Sequence, residues 1–224
     1  MLLFAHGVLK PDELALACAW LAEAHFADGK LSAGAAARRV KANEELERGA
    51  ADIERLDRLV MGALSRHLAY RNGALPLHAA SPLYARYRPG MTYGEHLDDP
   101  IMGTGGVLYR SDVAVTVFLS APEAYDGGEL AVRTAAGEQQ VKGSAGDAVL
   151  YPASTIHRVN PVTRGERLVA VTWVQSLVRD APRRELLYGL NLAREKLLLK
   201  APEAEETAQV NAAYLNLIRM WSDI

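Results

Sequence analysis

The chain has 224 residues, enough for one substantial domain with a helical appendage and too few for two large ones. Half of the residues are apolar, 23% are charged and the net charge is −2, an ordinary globular balance that gives no electrostatic footprint for nucleic acid or an anionic membrane. The single cysteine, Cys18, rules out an intrachain disulfide; its plain reading is a buried small hydrophobe in a reducing compartment. No stretch approaches the ~20 apolar residues of a spanning helix, and MLLFAHGVLKPDEL shows neither a basic leading region nor a cleavage site, so a cytoplasmic location is expected.

In chain order, a short strand is expected at 2–4. Lys10-Pro11-Asp12-Glu13 reads as a helix opening, with Leu14, Ala17, Leu21 and Ala24 on one face and Asp28-Gly29 as its end. The alanine- and glycine-rich stretch 31–40 takes no assignment. Leu46, Ile53, Leu56, Leu59, Val60, Ala63, Leu64 and His67 recur at helical spacing up to Asn72-Gly73, which predicts a second helix with His67 at its boundary. His6, His25 and His78 lack metal-type neighbours and read as structural. From Pro76 the pattern becomes one of strands for about a hundred residues. Two of them, 83–88 and 91–98, run back to back around Pro89-Gly90. Val113 to Leu119 is apolar on both alternations, as for a central strand. Asp126-Gly127-Gly128, whose glycines supply positive φ, turns into 129–134; Ala136-Gly137 turns into 139–142; Gly146-Asp147 precedes 148–151, which Pro152 closes.

Short strands with turn signals every ~8–12 residues and no helix between them argue for an antiparallel barrel or two-sheet jelly roll with a pocket at one mouth. The tail from Ala181 is helical in pattern. Leu186, Leu187, Leu190, Ala193, Leu197 and Leu198 form one stripe; Val210, Ala213, Tyr214, Leu217, Ile218 and Trp221 form another. These two faces must be covered by the barrel or by a second subunit, so homo-oligomerisation through the C-terminal helices is an expectation.

The chemistry centres on LYARYRPGMTYGEHLDD. His96 and Asp98 are one residue apart and share a face if the segment is extended. A lone H-x-D is weak, with plain surface polarity as its alternative. His157 far downstream supplies a second imidazole, and two imidazoles with one carboxylate are the facial ligand set of non-heme Fe(II), leaving positions for substrate and oxygen. An oxygenase is the reading. Glu95 and Asp99 face away from that pair on alternation. Ten positions after His157 comes Arg167, which shares one face of a long strand with Val169, Val171, Trp173 and Gln175. A guanidinium there needs an anion. Glu129 or Glu166 would be a structural partner; the carboxylate of a bound small molecule, held bidentately, would be a functional one. Arg110 and Asp112 read as a structural ion pair, with bounding of the substrate entrance as the alternative.

RYRPGMTYGEHLDDPIMG, RSDVAVTVFLSAPEAYDGGEL and GDAVLYPASTIHRVNPVTRGERLVAVTWVQS together resemble the PKHD-type hydroxylases, relatives of the prolyl 4-hydroxylases among the Fe(II)- and 2-oxoglutarate-dependent dioxygenases. The resemblance covers nearly the whole chain. It implies a mixed α and β fold, with a double-stranded β-helix (jelly roll) core, N-terminal helices packed on it and a small C-terminal helical domain. The corresponding divisions are 1–75, 76–178 and 179–224. It implies further that His96, Asp98 and His157 bind iron, that Arg167 binds the far carboxylate of 2-oxoglutarate, that 2-oxoglutarate is decarboxylated to succinate as a substrate C–H is hydroxylated by molecular oxygen, and that L-ascorbate keeps the iron reduced. Where related prolyl hydroxylases place an assisting tyrosine, this chain has Val117 and Phe118, and Tyr87 or Tyr93 is the substitute. Trp173 is a candidate wall of the oxoglutarate pocket, with core packing as the alternative. The substrate, small-molecule or peptidyl, is set by loops such as 99–106 and 121–127. The rival readings are a non-catalytic iron and 2-oxoglutarate sensor and a cupin-like metal-dependent isomerase or hydrolase.

Overall fold

The computed structural model describes all residues except 33, 36, 48, 50–52 and 105, and at 104 and 107 the backbone alone. The chain begins with β1 (Leu3–Ala5) and α1 (Pro11–Ala22). Pro11 takes the first helical position, where no backbone N–H is needed, and the Lys10 N–H donates to Glu13 Oε2 at 3.0 Å. The helix stops at Ala22, short of the Asp28-Gly29 end that the sequence suggests. Phe26–Asp28 instead forms a strand, β2, because Phe26 is buried in the core with the Arg86 guanidinium 4.0 Å over its ring. Two 3₁₀ turns, Gly29–Ser32 and Ala37–Arg39, lead into β3 (Lys41–Ala42) and β4 (Glu44–Leu46). Leu46 is thus a strand residue, paired with Phe26, and the helical pattern it was expected to begin is carried by α2 (Ile53–Arg66) and α3 (Leu68–Ala74). Positions 48 and 50–52 of that expected helix lie outside the described residues.

Thirteen strands follow: β5 (Pro76–Ala79), β6 (Leu83–Tyr87), β7 (Thr92–His96), β8 (Ile101–Thr104), β9 (Val107–Arg110), β10 (Val113–Phe118), β11 (Tyr125–Gly127), β12 (Leu130–Thr134), β13 (Gly137–Val141), β14 (Ala148–Pro152), β15 (His157–Val159), β16 (Val162–Gly165) and β17 (Arg167–Ser176). They form a double-stranded β-helix. The major sheet runs β1-β14-β10-β17-β6-β4-β2 with β5 paired to β17, and the minor sheet runs β13-β12-β15-β7-β3. All recorded pairings are antiparallel, so each strand offers alternate residues to the space between the sheets. The Pro89-Gly90 turn carries the chain from the major sheet to the minor one: β6 pairs with β17 and β4, and β7 with β15 and β3.

β10 is buried at every position, as its unbroken apolar run requires. One of its faces packs with Val60, Leu64, Leu150 and Val174 in the layer beneath α1–α3, and the other packs with Val132, Val149 and Val169 between the sheets. Val113, Val115 and Val117 belong to the first layer and Ala114 and Phe118 to the second, so the alternation sorts this strand between two cores.

The tail forms α4 (Ala181–Lys200) and α5 (Glu205–Trp221). They close over Leu75, Val178, Leu187 and Tyr214 in a third, smaller core. Buried Arg184 fastens α4 to the strands, donating to the carbonyls of Val178 (2.7 Å), Arg179 (2.8 Å) and Asp112 (3.2 Å). Asp112 in turn accepts from Arg110 (2.7 and 3.0 Å) and from the Ser176 N–H (2.9 Å), so the Arg110–Asp112 pair is structural. Leu186 and Ala193, expected on the covered stripe of α4, are exposed; Leu187, Leu190 and Asn191 take the inner face. No helix among the described residues is long and apolar enough to cross a membrane.

Candidate active site

β7 and β15 are neighbours in the minor sheet, and their register sets His96 directly opposite His157. The ring centroids are 4.2 Å apart. Each ring is fixed from behind in the same way. His96 Nδ1 donates to the Gly94 carbonyl at 2.8 Å and His157 Nδ1 to the Thr155 carbonyl at 2.9 Å. A carbonyl only accepts, so Nδ1 carries the proton on both rings and Nε2 is left as a lone-pair donor. Burial, and then the neighbouring His157, lower the His96 pKa to about 3, which keeps the ring neutral and able to bind a cation. Tyr93 stacks on His96 at 3.6 Å and Tyr151 meets His157 edge-on at 5.0 Å, which leaves neither ring free to swing.

β7 ends at His96, and Asp98 lies in the loop beyond it, with Oδ1 3.8 Å from His157 Nε2. One ligand atom from each of His96, Asp98 and His157 falls within 4.8 Å of the others. Ligands each ~2.1 Å from a shared ion stand ~3–4 Å apart, so the cluster fits one divalent cation after small rotamer adjustment. Burial pushes the Asp98 carboxyl pKa up, opposed first by His157 and then by the Trp173 indole; a buried carboxylate in this position calls for a cation. Glu95 points away, donated to by Arg133 at 2.6 Å. Asp99 is exposed and outside the three-residue cluster. Strand alternation ends before it, and it lines the cavity near Gly34.

The cavity between the sheets has a volume of about 760 Å³ and includes all three residues, together with Tyr87, Tyr93, Arg167 and Trp173. On β17, Arg167, Val171 and Trp173 face this space while Leu168, Ala170 and Val174 face the helices. Arg167 is 1% exposed, and its Nε and Nη1 have no hydrogen-bond partner among the described residues. Neither acid from the sequence reading reaches it: Glu166 accepts from Arg88 Nε at 3.3 Å, and Glu129 from Asn160 at 3.2 Å. The guanidinium lies 5.0 Å over the ring of Tyr87, its cross-strand neighbour. Gly128 (φ +66°) makes room for it, since a Cβ there would stand 3.0 Å from Arg167 Cδ and 3.1 Å from Tyr125 Cε2. A buried cation with free donors facing a cavity fits a bidentate anion such as a terminal carboxylate. Burial drives the Tyr87 hydroxyl up to about 12, more than Arg167 lowers it, so it stays protonated.

Several lining residues escape sequence reading. Tyr151, fully buried, reaches the cavity from β14, the strand beside β10. It was legible as the inward partner of Val149 on alternation. Thr116 joins it from β10 itself. Tyr125, also buried and with no partner for its hydroxyl among the described residues, packs beside Arg167. Lys41, Asn43 and Glu45 alternate inward where the chain crosses from the minor sheet to the major one, and Lys41 forms an ion pair with Glu45. The period of two in KANEEL is their signal, hidden by the helical pattern that follows. His78, read as structural, lines the cavity while its ring lies 5.0 Å from that of Tyr109.

Comparison with known proteins agrees with this geometry. Residues 82–175 match the 2OG-Fe(II) oxygenase superfamily, and residues 180–223 match the PKHD-type hydroxylase C-terminal domain. A PKHD-type hydroxylase of Thioalkalivibrio sulfidiphilus is 50% identical over the full length of both chains, and one of Synechococcus sp. is 42% identical, also over the full length of both. Among solved structures, a Pseudomonas putida prolyl-4-hydroxylase superposes with a TM-score of 0.53 at 23% identity, covering 78% of this chain and 92% of that one. A Trichoplax adhaerens prolyl hydroxylase, solved with a hypoxia-inducible-factor oxygen-degradation-domain peptide, superposes with a TM-score of 0.56 at 17% identity, covering 83% and 86%. At such identities these two establish the shared fold. The full-length relatives establish more: this chain belongs to the PKHD-type hydroxylases, within the 2-oxoglutarate- and Fe(II)-dependent dioxygenases.

Proposed function

We propose that the protein hydroxylates a C–H bond of a small-molecule or peptidyl substrate, with 2-oxoglutarate and O₂ converted to succinate and CO₂ and one oxygen atom appearing in the new hydroxyl. In this reading His96, Asp98 and His157 hold Fe(II), and Arg167 receives the far carboxylate of 2-oxoglutarate with Tyr87 beside it. The observation that carries the reading is the pairing, in one cavity, of three convergent ligand atoms with a buried guanidinium whose Nε and Nη1 lack partners among the described residues. Iron, when bound, supplies the oxygen chemistry.

The chain's own residues do the rest. His96 and His157 present neutral Nε2 atoms from rings locked on backbone carbonyls, and Asp98 contributes the one formal negative charge. With only that one charge among the three ligands, the site would leave a bound divalent cation a net positive charge to attract the cosubstrate, and Arg167 would fix how far the cosubstrate reaches. Leu130, Val159 and Val171 line the space between with apolar side chains that exclude water. Tyr93, whose ring covers His96 and lies 5.2 Å from Lys41 Nζ, belongs to this wall and is the second tyrosine candidate for the cosubstrate. The substrate approaches past Leu97, which follows β7, and past Ile101 and Met102 of β8 in the segment 99–106, of which Gly105 lies outside the described residues.

Residues 76–178 are read as the catalytic core, 1–75 as its support and 179–224 as a helical C-terminal domain. A role for ascorbate in keeping iron reduced and a cytoplasmic location belong to the same proposal. So does self-association through the C-terminal helices, supported by exposed Leu186, Leu199 and Met220. The test is aerobic incubation of iron-loaded protein with 2-oxoglutarate and a cellular metabolite extract. Succinate formation that His96→Ala and Arg167→Ala abolish is expected, and succinate no greater than in those variants would contradict the proposal.

A further inference from the structure

In the ligand reading above, Asp98 binds iron through one oxygen, and the other oxygen needs a donor. Asp98 Oδ2 is buried and has no hydrogen-bond partner among the described residues. A carboxylate oxygen only accepts, and leaving it unmatched in a buried site costs its full desolvation. The same cavity wall holds a matching atom of the opposite kind. Trp173 Nε1, which only donates, is also buried and also without a partner among the described residues.

Three other groups on this cavity carry unpartnered polar atoms, and each is otherwise accounted for. Asn43 interacts through its side-chain amide with the Tyr87 hydroxyl, and its Oδ1 is turned onto Gly29. Glu45 is paired with Lys41. The free Arg167 donors are assigned to the cosubstrate. The flanking inward residues of β17 are Val171 and Gln175, and the Gln175 side-chain Oε1 already accepts from the Arg110 backbone N–H at 3.2 Å. Ala114, cross-strand from Trp173, is fully buried and too small to compete for the space over the indole.

We infer that Trp173 is the positioning residue for the iron ligand Asp98: its indole N–H donates to Oδ2 and so reserves Oδ1 for the metal. An indole suits this role better than a lysine or arginine. It orients the carboxylate without cancelling the negative charge that binds the cation and brings no exchangeable ammonium to the ligand. A carboxylate held to one oxygen also leaves coordination positions for cosubstrate and oxygen. The inference rests on the proposed ligand set and assigns Trp173 to the metal, where a wall of the oxoglutarate pocket was the expectation.

The test uses the full chain with Zn(II) and Co(II) as probes under anaerobic conditions. Trp173→Phe keeps the ring and removes the donor. Its metal affinity should fall by about 10- to 100-fold, the usual effect of losing a group that orients a ligand, and the visible Co(II) absorption should change intensity as the carboxylate becomes free to chelate with both oxygens. An unchanged affinity and Co(II) spectrum would overturn the inference. A second readout needs no substitution at Trp173. Trp20→Phe and Trp221→Phe identify the Trp173 indole N–H resonance by elimination, and that resonance should move on Zn(II) binding and again in Asp98→Ala. An indole signal indifferent to Asp98→Ala would contradict the hydrogen bond. If Asp98→Ala itself binds metal as tightly as the unaltered protein, the ligand assignment falls, and the role of Trp173 falls with it.

Discussion

The two sheets meet the cavity on different terms. The major sheet is covered on its outer face by α1–α3 over a continuous apolar layer that includes Leu56, Val60, Leu64 and Tyr70. The minor sheet carries ion pairs on its outer face instead, Arg133 to Glu95 and Arg158 to Glu138. His96 and His157, the proposed histidine ligands, belong to the minor sheet, whereas Arg167 and Trp173 belong to the major one. Ligand geometry is therefore a local matter, fixed by two adjacent strands and two backbone carbonyls. In the proposed site the distance from the ligand cluster to Arg167 is set by how the sheets are spaced, which depends on the packed layers. Metal affinity and cosubstrate affinity should accordingly be separable by mutation.

The largest effect is expected at the ligands. Asp98→Ala or His157→Ala should weaken anaerobic Mn(II) or Fe(II) binding by more than about 100-fold, beyond what loss of an orienting neighbour does, with the melting temperature little changed. Calorimetric titration checks it, and retained tight binding would break the local half of the comparison. Next comes the anchor. Arg167→Met should raise the 2-oxoglutarate dissociation constant by the equivalent of ~2–5 kcal/mol while metal affinity without cosubstrate stays within about threefold. The same substitution should leave stability unchanged or raise it by ~1–4 kcal/mol, since it replaces a buried charge lacking a full set of partners with an apolar chain. Thermal melting gives the sign.

How much of this was legible depended on whether neighbouring residues or distant ones decide the outcome. Val113 to Leu119 announces a strand covered on both sides by its own composition, and β17 sorts its side chains by simple alternation, so Arg167 and Trp173 could be placed on one face. His96 and Asp98 were readable for a similar reason, although the strand ends between them. The shortest strands were not readable. Phe26–Asp28, Lys41–Ala42 and Glu44–Leu46 are strands because other strands pair with them, and the short period of two in KANEEL is outweighed by the helical pattern that follows it. Lys41, Asn43 and Glu45 were missed with the pairings that carry them inward, whereas Tyr151 lay on a strand that was read and only its inward face was passed over. The exposure of Leu186 was illegible because two overlapping stripes fit α4 and only the docking of Arg184 selects one.

Smaller effects sharpen the contrast between the sheets. Leu64→Ala, beneath the major sheet, should cost ~2–5 kcal/mol in chemical denaturation and loosen 2-oxoglutarate binding before metal binding. Tyr87→Phe should weaken 2-oxoglutarate by about fivefold, the worth of one hydrogen bond of ~1 kcal/mol, with metal affinity untouched. Arg133→Ala, on the solvent side of the minor sheet, should change stability by less than ~1 kcal/mol and neither affinity.

The most direct measurement is an anaerobic optical titration of the Fe(II)-loaded protein with 2-oxoglutarate, in parallel with Arg167→Met and His96→Ala. A saturable visible metal-to-ligand charge-transfer band is expected in the unaltered protein. It should need far more 2-oxoglutarate in Arg167→Met and be lost in His96→Ala. Absence of the band in the unaltered protein, or its persistence at the same 2-oxoglutarate concentration without Arg167, would contradict the claim that one cavity holds iron on the minor sheet and the cosubstrate carboxylate on the major one.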